Sequence, residues 1–167
     1  ILNGSKNQLQ DSILAVESEV EFVELYRDQP LFAELDQFMR ASGFQLIDIG
    51  NLCYVKGAKS RGIGGRKGQL ISADTLYFKP IDSTVKLIIK ANDPEKKLMA
   101  IAKICLVYGY PDYVIEVVDR LQGKVISHSK LSSLVKLMKT ERICSPIPHF
   151  RGKGFLYRIS GKLAWLF

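Results

Sequence analysis

The 167-residue chain is 47% hydrophobic and 25% charged with a net charge of +7, which excludes a disordered or fibrous protein and leaves apolar material for one domain with a core, or a small domain plus an extension. No stretch reaches the roughly 18 apolar residues that a bilayer-crossing helix needs, and residues 1–20 lack the basic start and apolar run of a signal peptide. Three widely spaced cysteines, Cys53, Cys105 and Cys144, fit a reduced, cytoplasmic setting and not a disulfide framework; with only His128 and His149 beside them, no metal site is expected.

The first predicted element is a strand over Ile13–Phe22. Period-two alternation puts Leu14, Val16, Val20 and Phe22 on one face and Glu17, Glu19 and Glu21 on the other. Carboxylates stacked on one strand face are costly to bury without partners, so part of that face is expected in solvent near the strand's end. A helix follows, with Pro30 expected at its first position. Leu31, Phe32, Leu35, Phe38 and Met39 form one apolar stripe along it, and Gly43 marks its stop. A strand is predicted from Phe44 to Ile49, extending towards Val55, and a second over Gln69–Phe78. The Gly- and Lys/Arg-rich stretch Lys56–Gly68 joins them as a hairpin loop.

From Pro80 to Lys90 the pattern is ambiguous: Val85–Lys90 reads either as a short edge strand or as the start of a helix. Beyond it the signals are helical. Asp93, Pro94 and Glu95 supply a cap, a first position and an acidic first turn for a helix carrying Leu98, Ile101, Cys105 and Tyr108 and stopping at Gly109. Pro111 opens another with Val114, Ile115, Val118 and Leu121, and Ser129 is the expected cap of a third with Leu131, Leu134, Val135 and Met138. The tail from Ser145 mixes Pro, Gly, aromatic and basic residues and closes on LAWLF. The expected division is therefore an α/β portion, residues 1–80, and a helical extension with a basic aromatic tail, residues 81–167.

Candidate chemistry is sparse. The RGIGGRKG run, Arg61 to Gly68, has glycines and cations able to cradle phosphate, but it precedes a strand where a dinucleotide loop opens a helix, so a hairpin loop is the favoured reading. Alternate carboxylates at Glu17, Glu19 and Glu21 can supply an acid or base. No Ser or Cys arrangement beside His128 or His149 suggests a nucleophilic triad. Charge is uneven: residues 1–55 hold three Lys/Arg against nine Asp/Glu, whereas residues 56–167 hold 21 against eight. That asymmetry keeps open a non-catalytic module whose basic half docks an acidic partner, an anionic membrane surface or RNA, although no RNA-binding motif is present.

Four blocks in order carry a family resemblance: ILNGSKNQL at the start, SEVEFVELYRDQPLF from Ser18, LDQFMRASGFQLIDI from Leu35, and GQLISADTLYF from Gly68. Together they resemble the C-terminal half of an FkbM-type S-adenosylmethionine-dependent methyltransferase. The resemblance implies a Rossmann-like class I sheet entered at its fifth strand, with sixth and returning antiparallel seventh strands, and places Asp74 at the family's characteristic aspartate. It covers residues 1–78. It further implies that the cofactor-binding half precedes Ile1, that this segment alone is inactive and holds no cofactor-binding residue, and that the whole protein methylates a hydroxyl of a small molecule or carbohydrate. Since ligands of open α/β sheets bind beyond the carboxyl ends of the parallel strands, Tyr26, Arg61 and Arg66 are then expected to border the acceptor, with Glu19 and Glu21 as candidate bases.

Overall fold

The computed structural model describes residues 2–56, 68–121 and 126–143. The chain divides into two compact units, Ile1–Leu87 and Ile88–Phe167. The first is mixed α/β with a three-stranded sheet; the described part of the second is helical.

The first unit opens with a single 3-10 turn and a short helix α1, Lys6–Asp11, followed by strand β1, Ala15–Glu21. Helix α2 spans Phe32–Ala41, β2 spans Gln45–Val55 and β3 spans Gln69–Phe78. In the sheet the order is β1-β3-β2, with β3 antiparallel to both neighbours. Strands β1 and β2, joined through α2, therefore point the same way, with the reversed strand between them.

The pleat sorts the residues of β1 as its alternation predicts. Val20 is buried on one face while Glu17 and Glu19 on the other are exposed and Glu21 is half-buried. A core of Leu9, Met39, Phe44 and Tyr77 gathers Ile13, Val16, Leu35, Phe38 and Leu46 around it. Met39, from the apolar stripe of α2, is fully enclosed there.

Pro30 does not sit at the first helical position. The Glu34 carboxylate accepts the Leu31 backbone N–H at 2.7 Å, so Leu31 caps α2 and Pro30 lies one residue before the cap. At the other end the reading of Gly43 holds. Its φ of 79° lets the Gly43 N–H reach the Arg40 carbonyl at 2.9 Å and the Phe44 N–H reach the Met39 carbonyl at 3.0 Å, the paired bonds that close a helix and turn the chain directly into β2.

The ambiguous stretch after Pro80 is helical: α3 spans Ile81–Ile89. Thr84, Val85 and Ile88 are buried, a spacing that makes one helical face, and the Thr84 N–H bonds the Pro80 carbonyl at 2.9 Å. The division between the two units falls within this helix.

The second unit contains α4, Pro94–Tyr108, α5, Pro111–Leu121, and α6, His128–Ile143. The Asp93 carboxylate accepts the Lys96 N–H at 2.9 Å, as the cap reading requires, and Gly109 ends α4 at a φ of 83°. Helix α5 packs against both α4 and α6. Val117 is buried where Ile115 was the sequence choice; Ile115 is only half-buried. The α6 cap lies two residues before Ser129: the Ser127 carbonyl accepts the N–H groups of Lys130 and Leu131 at 3.1 and 3.2 Å. Among the described residues no helix is long and apolar enough to cross a membrane.

Candidate functional site

The carboxyl ends of β1 and β2 lie on the same side of the sheet, because the two strands run in the same direction and pair with one reversed neighbour. Register fixes what shares a face there. Glu19 lies opposite Asp74, and Glu21, the last residue of β1, lies opposite Ser72. Asp74 in turn lies opposite Gly50 of β2. One residue further, between Gly50 and Cys53, β2 bulges. Asn51 takes a left-handed φ of 50° at that bulge, and its side-chain amide donates to the Asp74 carboxylate. A bulge re-aims a side chain that a regular pleat would send elsewhere. Glu19, Asp74 and Asn51 thus form a polar row across all three strands.

Tyr26 lies in the loop that leaves β1. That loop is tied by its own side chains. The Gln29 side-chain oxygen accepts the N–H groups of Leu25 and Tyr26 at 3.1 and 3.2 Å, and the Glu24 carboxylate accepts the Asp28 N–H at 2.8 Å. Asp28 has a φ of 58°, conformational strain that these bonds offset. At the base of the loop the rings of Phe22 and Phe32 meet with centroids 5.3 Å apart. The result is a braced backbone that leaves the Tyr26 side chain in solvent, 74% exposed, and Leu25 beside it also exposed.

Of the expected site residues, Glu19, Glu21 and Tyr26 stand at or near this sheet edge. Arg61 and Arg66, with most of the RGIGGRKG run, fall outside the described residues, as do His149 and the basic aromatic tail. Asn51 escaped the sequence reading. The Gly50-Asn51 pair inside a strand pattern was the available signal, since an isolated glycine there marks a bulge.

Other polar groups serve the scaffold of each unit. The Tyr77 hydroxyl donates to Asp36 at 3.2 Å, and Asp36 also holds Arg40 at 2.7 Å, which ties α2 to β3. Burial, reinforced by the Asp36 charge, pushes the Tyr77 phenol well above its usual range. The Lys79 ammonium donates to the Ser42 carbonyl at 2.6 Å and lies 3.9 Å from the centre of the Phe44 ring, and burial lowers its pKa. Cys105 is enclosed in α4 and its thiol is pushed up to about 12 by desolvation, which removes it as a nucleophile near neutrality. Among the described residues no group of three or more His, Cys, Asp or Glu could hold a metal ion.

The second unit has a cleft of about 330 Å³ between the first turns of α4 and α6. Leu98, Met99, Ile126, Leu131 and Leu134 line it, and the Lys130–Glu95 ion pair, 2.6 Å, stands at its rim. No family model, no curated protein and no solved structure matches this chain.

Proposed function

We propose that this chain is the C-terminal segment of an S-adenosylmethionine-dependent methyltransferase that methylates a hydroxyl of a small molecule or sugar, with the cofactor held by residues upstream of Ile1. The observation that carries the reading is the sheet itself: two strands running the same way, joined through a helix, with a returning antiparallel strand between them. This is the strand direction that the four resembling blocks require. The outer edge of β1 supports it further, because no strand pairs there among the described residues and β1 carries no bulge or proline, so that only the charges of Glu17, Glu19 and Glu21 stand against pairing. Such an edge suits a sheet that continues.

In this reading the acceptor lies beyond the carboxyl ends of β1 and β2. The bound cofactor supplies an electrophilic methyl group. Tyr26, held on its braced loop, offers a ring for an acceptor to lie against. Arg61 and Arg66, which follow β2 in sequence and lie outside the described residues, are assigned by this reading to the acceptor's oxygens. Glu21, at the last position of β1, is the nearer carboxylate to take the acceptor's hydroxyl proton; Glu19 stands two residues further into the sheet.

The test joins this chain to the sequence that precedes Ile1 in its reading frame and titrates S-adenosylmethionine by calorimetry. Binding is expected in the longer protein, and no binding overturns the proposal. In the same protein Glu21→Gln and Tyr26→Ala should leave cofactor affinity unchanged, because neither residue is assigned to the cofactor. A loss of cofactor affinity in either variant would move those residues out of the acceptor role.

A further inference from the structure

We draw no further inference here: the strongest candidate, the cleft between the first turns of α4 and α6 with the Lys130–Glu95 ion pair at its rim, is an apolar groove for which nothing in the structure shows what occupies it.

Discussion

Along its pairing with β3, β1 keeps one unbroken register from Ala15 to Glu21, whereas β2, on the far side of β3, shifts register at three places and puts Asn51 in the left-handed region. An exposed regular edge invites another strand, and bulges twist an edge away from such pairing. The β2 side therefore has the features of a finished margin, whereas β1 is a regular edge with the charges of exposed Glu17 and Glu19 set against pairing. That contrast is why β1 is the side on which the proposed enzyme would continue its sheet. It also explains the placement of the polar row. The same bulge that closes β2 aims Asn51 at Asp74, in the middle of the sheet and opposite Glu19.

Amide hydrogen exchange gives the largest expected difference between the two margins. In the longer protein the β1 amides that face away from β3 should become protected to the level of the core, while those of β2 around Asn51 should not change. Equal protection on both margins would remove the distinction. Below both margins lies Met39, with no exposed surface, so Met39→Ala should cost about 2–5 kcal/mol in a denaturant titration and loosen β1 and β2 together. A loss confined to one strand would show that the two do not share a core.

The closed margin has its own signature. At a φ of 50°, alanine in place of Asn51 is strained by roughly 1–2 kcal/mol, whereas glycine is not. Asn51→Ala should therefore be the less stable variant, although both lose the bond to Asp74. Equal stabilities would mean that the left-handed turn does not hold the bulge. Tyr77→Phe should cost about 0.5–1.5 kcal/mol near neutrality by removing the bond to Asp36. Its pH dependence is the sharper readout. The folded pKa of Tyr77 is raised above the unfolded value of 10.0, so its contribution is complete below pH 10 and is lost as pH rises beyond it. The phenylalanine variant should lack that part of the alkaline loss. The smallest effect belongs to the β1 face: Glu19→Gln removes a like charge opposite Asp74 and should raise the melting temperature slightly at low salt, with the gain vanishing as salt is added. A drop in stability would instead give Glu19 a bound partner.

Much of the fold was legible in the residues. The limits of β3 match the Gln69–Phe78 run, Gly43 and Gly109 end their helices in the left-handed conformation, and Asp93 caps α4. These are local signals, carried by side-chain spacing or by one residue's freedom at φ. The misses were local competitions that spacing does not decide. Glu34 captured the Leu31 N–H and set the first residue of α2 at Phe32, two past Pro30, and Ser127 preceded Ser129 as the α6 cap. Val85–Lys90, too short to separate a strand from a helix by period and so open to both, falls to the helical alternative up to Ile89, with Thr84, Val85 and Ile88 enclosed.

The candidate site was less legible, because its parts are far apart in the chain. Alternation alone put Glu17, Glu19 and Glu21 on one face of β1, and composition alone determined a chain with a core, an acidic first third and a basic remainder. Only the tertiary structure decided that β3 lies between β1 and β2. That single choice sets Glu19 against Asp74 and Asp74 against Gly50, 31 residues after Glu19 in sequence. It follows from strand pairing, which is a contact between distant segments: the period of a strand says which residues share a face, but not which strand will lie beside it.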